Sequence, residues 1–230
     1  MSGKDPDGLV RRLVRDALTA DDPTGWFERV YAAAGNGEAT VPWDRGAPQR
    51  LLVDWAQARA LDGNGQRAVI VGCGLGDDAE YFSGLDFDTV AFDVSPTAVR
   101  TARQRFSKST VEYVTANLLD LPADWQQAFD LVVESLTIQS LPDPPRADAI
   151  IQVGRLVRPG GTLVAVALGR DDDHESPQGP PWALRRAEID ALAKGGLSPV
   201  RIECFPGDGP TGRRWRAEFH RPRLLGTASG

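Results

Sequence analysis

Apolar positions follow a helical period in the first quarter of the chain and alternate between strand and helix patterns afterwards. In residues 9–20, Leu9, Val10, Leu13, Val14, Ala17 and Leu18 recur at helical spacing, which predicts a short amphipathic helix with Arg on its wet face. Residues 24–34 predict a second helix, with Pro23 and Thr24 where a helix start would fall. GNGEAT breaks that pattern. VPWDRGAP reads as a loop, because each Pro disfavours helix in the residue before it, and residues 49–61 are helical again. The turn cluster DGNGQR at 62–67 is the hinge into the rest of the chain.

From Ala68 onward, apolar strand runs at 68–71, 88–93, 111–115, 129–134 and 162–168 are separated by helical or loop segments. One helix starts near Asp77. A second, reaching Phe106, has Ser95 as N-cap and Pro96 at its first position. A third spans 145–157 and stops at Pro159-Gly160-Gly161, and a last one spans 185–194 and ends at Gly195-Gly196. LSPVRIECF and RRWRAEFH follow; in the second, Trp215, Ala217 and Phe219 alternate with charged residues at a period of two, as half-buried strands require. Strands joined through helices give parallel βαβ units with right-handed crossovers. The closing connection PGDGPTG is too short for a crossover, so the sheet should end with one antiparallel strand. The expected architecture is α/β, with helices on both faces of a mostly parallel sheet. Residues 62–230 form the body, and residues 1–61, with too little apolar face for a core of their own, form an N-terminal helical cap.

Composition narrows the function. A chain of 230 residues with 41% apolar and 25% charged residues is ordinary globular material. The formal charge of -6 makes nucleic acid a disfavoured partner. The apolar run 163–168 is far short of the roughly 20 residues a membrane span needs, and the N-terminal stretch has no apolar core of a secretory signal. Two cysteines, Cys73 and Cys204, indicate neither a disulfide framework nor a paired-Cys metal site, so a cytoplasmic setting is expected.

The chemistry concentrates at Gly72-Cys73-Gly74-Leu75-Gly76, directly after the first predicted strand, where glycines permit a tight turn and close approach of a ligand to the backbone. Asp93 ends the second strand, 19 residues beyond Gly74, where an acid can accept from both hydroxyls of a ribose. A dinucleotide and S-adenosylmethionine both fit these two features. The dinucleotide fingerprint, however, wants a third Gly where this chain has Asp77, and Asp78 follows. Two carboxylates at that helix start oppose a pyrophosphate and suit a cationic sulfonium ligand.

VIVGCGLGDD, AFDVSP, ANLLDLP, FDLVVESLTIQSLP and LVRPGGTLV, in this order, resemble the motifs of class I S-adenosylmethionine-dependent methyltransferases, and PWDRGAP ahead of them resembles the thiopurine and tellurite-resistance branch that acts on small molecules. The resemblance implies a Rossmann-like seven-stranded sheet of order 3-2-1-4-5-7-6 with strand 7 antiparallel. It implies that Gly72, Gly74 and Gly76, with Cys73 between them, line the methionine end of S-adenosylmethionine. Asp93 would hold the ribose, Val94 would flank the adenine, and Asn117, Leu118 and Leu119 would contact it. Glu134, Ser135 and Leu136 would lie beside the methionine moiety and a small-molecule methyl acceptor. Two positions depart from the pattern. Ile70 stands where many relatives carry an acid, with Asp78 as the substitute, and Asn117 stands for the adenine acid, its amide oxygen still an acceptor.

Trp43 and Trp182 both sit beside Pro in irregular segments, where each can cover a sulfonium or a flat substrate or simply pack a loop. Glu134, Asp44 and His174 are the candidate bases for transfer to N, S or O. The rival readings are a cofactor-binding sensor or partner subunit without catalysis, an aminopropyltransferase and an NAD-dependent Rossmann enzyme.

Overall fold

The computed structural model describes residues 6–171, 180–207 and 212–223. Three helices come first: α1 (Pro6–Thr19), α2 (Gly25–Gly35) and α3 (Arg50–Gln57). The body follows as β1 (Arg67–Val71), α4 (Asp77–Ser83), β2 (Asp88–Asp93), α5 (Pro96–Arg105), β3 (Glu112–Thr115), β4 (Phe129–Ser135), α6 (Pro145–Leu156), β5 (Val157–Gly169), α7 (Arg186–Asp190), β6 (Ser198–Pro206) and β7 (Arg213–His220). The seven strands form one sheet in the order β3-β2-β1-β4-β5-β7-β6. Pairing is parallel from β3 through β5, while β7 lies antiparallel between β5 and β6, as the short closing connection requires.

Alternation along β1 shows how one strand serves two layers. Val69 and Val71 join a core with Ile150 and Val153 of α6, whereas Ala68 and Ile70 face a second core with Leu52 and Trp55 of α3, Phe82 of α4 and Val99 of α5. Helices α1 and α2 build a third, smaller cluster around Val14, Ala17, Trp26 and Val30. Helix α3 therefore packs with the body, whereas α1 and α2 centre on the third cluster, with Phe27 of α2 also packed against the first core. No helix among the described residues is long and apolar enough to cross a membrane.

Three element boundaries differ from the sequence expectation. Helix α3 ends at Gln57 rather than near Leu61, because the Leu61 N–H bonds Ala56 O and the Ala60 N–H bonds Gln57 O, with Ala60 in left-handed backbone at φ 46°. That is a Schellman turn built on alanine. Pro159-Gly160-Gly161 lies inside β5 rather than between elements. Val157 already pairs with Phe129 across an irregular register, and the Gly160 N–H bonds Arg221 O at 2.9 Å. The last predicted helix is split into α7 and a 3-10 turn over Ala191–Gly195.

Candidate active site

Strand order reverses between β1 and β4, and at such a switch point the loops leaving the carboxyl ends of neighbouring strands diverge and open a crevice. A cleft of about 1030 Å³ lies there, somewhat larger than the roughly 300–1,000 Å³ of most small-molecule sites and roomy enough for two ligands side by side. Its floor is the turn after β1. Gly72, Gly74 and Gly76 have φ of 61°, 52° and 96°, so side chains there would be strained. Space is equally limiting: a Cβ on Gly72 would come within 2.2 Å of Thr137 Oγ1, and one on Gly74 within 2.9 Å of the Tyr31 hydroxyl.

Acids ring this floor. Asp93, at the end of β2, is buried and accepts from the Gly74 N–H (3.0 Å) and the Ser95 N–H (2.9 Å). Burial pushes its carboxyl up to about 6, against the lowering effect of those N–H bonds. Asp78 accepts from the Gln49 N–H at 2.7 Å, and burial raises its pKa as well. Asp77 takes both Arg105 guanidinium nitrogens at 3.0 and 3.1 Å, and Asp44 stands 3.7 Å from the same guanidinium. Asp44 also accepts from the Gly46 N–H.

Val94, Asn117, Leu118 and Leu119 wall the cleft on the β2–β3 side. The Asn117 amide oxygen accepts from the Leu119 N–H at 3.0 Å, which folds the segment after β3 back on itself. On the β4 side, Ser135, Leu136, Thr137 and Gln139 line the opening. Leu136 holds φ at 62°, an uncommon state for a branched side chain and one that other contacts must enforce. Glu134 is the enforcing residue: it is 1% exposed, and its Oε1 accepts from the N–H groups of Thr137 (2.8 Å) and Ile138 (2.9 Å). Burial raises its pKa to about 7, and its side chain does not line the cleft.

The roof comes from α1, α2 and the loop before α3. Trp43 donates its indole N–H to the Tyr31 hydroxyl at 2.7 Å and meets the rings of Trp26, Phe27 and Tyr31 edge-on. Glu28 of α2 reaches the start of α5, accepting from Ser95 Oγ (2.5 Å), Thr97 Oγ1 (2.6 Å) and the Thr97 N–H (3.0 Å). These contacts fasten the roof to the loop that carries Asp93.

Of the residues singled out by sequence, Trp43, Asp44, the glycine turn with Cys73, Asp78, Asp93, Val94, residues 117–119, Ser135 and Leu136 all line one cleft. Glu134 lies behind it, and His174 lies outside the described residues. Trp182 is buried, with Arg146 over its ring, and is a packing residue. Tyr31, Glu28 and Gln139 carry no motif and were missed. The signal that could have marked Tyr31 is its position on the apolar face of a helix immediately ahead of the Trp43 loop.

A largely parallel sheet with an acid closing β2 is an arrangement that holds a nucleoside, and two further acids at the start of α4 disfavour a pyrophosphate at the turn. Residues 68–161 match the family described as "Methyltransferase domain". The chain is 26% identical over 190 residues to a probable thiol methyltransferase 2 of Arabidopsis thaliana, covering 82% of this chain and 78% of that one. It is 31% identical over 123 residues to a ubiquinone biosynthesis O-methyltransferase of Thiobacillus denitrificans, about half of each chain. The fold superposes with a TM-score of 0.64 and 21% identity on N-methyltransferase NodS from Bradyrhizobium japonicum in complex with S-adenosyl-L-homocysteine, over 84% of this chain and 98% of that one. The strand order, the matched methyltransferase domain and these relatives together support a class I S-adenosylmethionine-dependent methyltransferase, with S-adenosylmethionine as the methyl donor. The residues present fit that donor: a bare turn that admits no Cβ, a buried acid beside it, and carboxylates around a cationic ligand.

Proposed function

We propose that the enzyme methylates the sulfur of a small thiol-type acceptor, as a member of the thiopurine-like branch. The observation that carries this reading is the missing base. Among the described residues, Glu134 is turned into the loop backbone, Asp44 is held by Arg105 and the Gly46 N–H, and Asp77, Asp78 and Asp93 are engaged around the glycine turn. Among the described residues, then, none is free to deprotonate an acceptor, which favours an acceptor that ionises by itself. A thiol of pKa about 8.5 is roughly a tenth ionised at pH 7.5, a phenol of pKa about 10 only about 0.3%. The name of the Arabidopsis relative agrees with sulfur.

Bound in this cleft, S-adenosylmethionine supplies an electrophilic methyl group. The chain's contribution is placement. The glycine turn opens its backbone to the methionine portion, Asp93 accepts from the ribose hydroxyls, and Val94, Leu118 and Leu119 enclose the adenine. Ser135, Leu136 and Thr137 present the acceptor opposite. Alignment of this kind is worth about 7–11 kcal/mol without a strong base. The first 61 residues act as the cap, with α1, α2 and the loop to Gln49 excluding water and α3 tying them to the body. The cytoplasm suits two unpaired cysteines.

Methyl transfer from labelled donor to matched aryl thiols, phenols and amines at pH 7.5 tests this. Thiols should be turned over at least about tenfold faster than the matching phenols, given their ionised fractions. Faster methylation of phenols or amines refutes the sulfur assignment.

A further inference from the structure

Tyr31 is 4% exposed, yet its phenol reaches the cleft and stands over the middle glycine of the turn. A buried hydroxyl has one proton to give and two lone pairs to fill, and native structures rarely leave either unused. One lone pair of Tyr31 is filled by the Trp43 N–H at 2.7 Å, and this is the only hydrogen bond the phenol makes among the described residues. Its own proton therefore has no acceptor in that part of the chain. Burial and the nearby Asp93 hold the phenol far above its ordinary pKa, so it remains a donor at all working pH values. Asp93 does not take that proton: among the described residues no hydrogen bond joins the phenol to its carboxylate, which accepts from the Gly74 and Ser95 N–H groups.

The missing acceptor is identified by charge. Resting on the assignment of S-adenosylmethionine as donor, the groups that reach the glycine turn are a sulfonium, an ammonium and a carboxylate, and only the carboxylate accepts strongly. That carboxylate enters a site ringed by acids. Of the cations near the turn, Arg105 is paired with Asp77, and Arg45 is an exposed residue of the cleft rim that lowers the pKa of Asp78.

We propose that Tyr31 is the carboxylate-binding residue for the methyl donor: its O–H, fixed by the Trp43 N–H, donates to the carboxylate of the amino-acid end. The same phenol then closes the roof, because the loop carrying Trp43 is held by the oxygen that grips the donor. Donor binding and seating of the cap loop become one event.

Calorimetry on the full chain tests this with two ligands, S-adenosylhomocysteine and 5′-methylthioadenosine, which keeps the adenosine and thioether but lacks the amino-acid end. Tyr31→Phe should weaken S-adenosylhomocysteine by about tenfold or more, the loss of one hydrogen bond to a charged group, and leave 5′-methylthioadenosine within about twofold. Trp43→Phe, which keeps the phenol but releases it, should weaken S-adenosylhomocysteine selectively by a smaller factor and add little on top of Tyr31→Phe. If Tyr31→Phe does not fold, Trp43→Phe alone decides. Equal weakening of both ligands, or no weakening of S-adenosylhomocysteine, overturns the proposal. Wild-type protein that binds neither ligand overturns the donor assignment itself, and the proposal with it.

Discussion

Given the proposed ribose contact, Asp93 should make the affinity for the donor pH-dependent. In the free protein its carboxyl titrates at about 6 instead of the ordinary 3.8, because burial removes it from water more than the Gly74 and Ser95 N–H groups compensate. Two ribose hydroxyls donating to the ionised form return it toward 3.8, since hydrogen bonds to a charged form favour that form. Between those values the free protein holds a proton that the complex has released, so affinity must fall as pH falls. About three quarters of the free protein carries the proton at pH 5.5 and about a tenth at pH 7. Binding should thus be about fourfold weaker at pH 5.5. The sequence pI near 5.0 sets the lower end of a practical titration.

Isothermal calorimetry with S-adenosylhomocysteine over pH 5.5–7, in two buffers of different ionisation enthalpy, reads both the slope and the proton released. Asp93→Ala should weaken binding by roughly 30-fold or more at pH 7, since charge-assisted hydrogen bonds are worth about 1.5–3 kcal/mol each. Asp93→Asn should lie between and lose the pH slope altogether. Its amide must face either the Gly74 or the Ser95 N–H, both donors, so part of its loss is loop distortion; the slope is immune to that. A flat wild-type profile, or a slope that survives in Asp93→Asn, refutes the reasoning.

Glu134→Gln should keep methyl transfer within about threefold of wild type, because an amide oxygen still accepts from Thr137 and Ile138; loss of turnover by a hundredfold would restore Glu134 as a base. In wild type, folded Glu134 holds its proton up to about 7 and the unfolded chain releases it near 4.5, so stability should decline as pH rises between those values, and urea titrations of Glu134→Gln should show a flatter decline. Glu28 behaves oppositely. Burial raises its pKa but the Ser95 and Thr97 hydrogen bonds lower it further, so its stabilisation is present above about pH 4.5 and lost as pH falls through the depressed value. Glu28→Ala should cost about 1–3 kcal/mol in urea and weaken donor binding through the roof, whereas unchanged stability would mean that α2 is not held by this contact.

The residues that sequence placed well are those whose role is set within a few positions. Ser95 and Pro96 start α5 as read, and the Ser95 hydroxyl accepts from the Ala98 N–H at 3.0 Å. Asp93 and the glycine turn were legible because a strand of period two ends in a loop whose residues have nowhere to point but the crevice. The end of α3 was not, since its left-handed residue is Ala60 and carries none of the usual glycine signal. The Pro159-Gly160-Gly161 stop failed for a different reason: its backbone is claimed by Arg221, some 60 residues later, and pairing at that distance outweighs local turn chemistry.

Glu134 and Tyr31 show where reading by position misleads in opposite directions. An acid at the carboxyl end of a central strand invites a catalytic role, yet β4 is covered on both faces, so a side chain there is buried whichever way it points. The chain resolves the cost of that buried carboxyl locally, turning the N–H groups three and four residues later onto it and forcing Leu136 into left-handed backbone. Accepting from the N–H groups of Thr137 and Ile138, where the 3-10 turn Ile138–Ser140 begins, Glu134 is a structural acid. Tyr31 has the reverse history. Its helical spacing assigns it to the core, and it is indeed buried, but the core it joins is the underside of a roof. Only the docking of α2 onto the start of α5, through Glu28 and residues nearly 70 positions away, turns that buried face toward the glycine turn. The candidate donor site is therefore assembled from the sheet, which local periodicity encodes, and from a helix whose proposed contribution exists only once the two are packed.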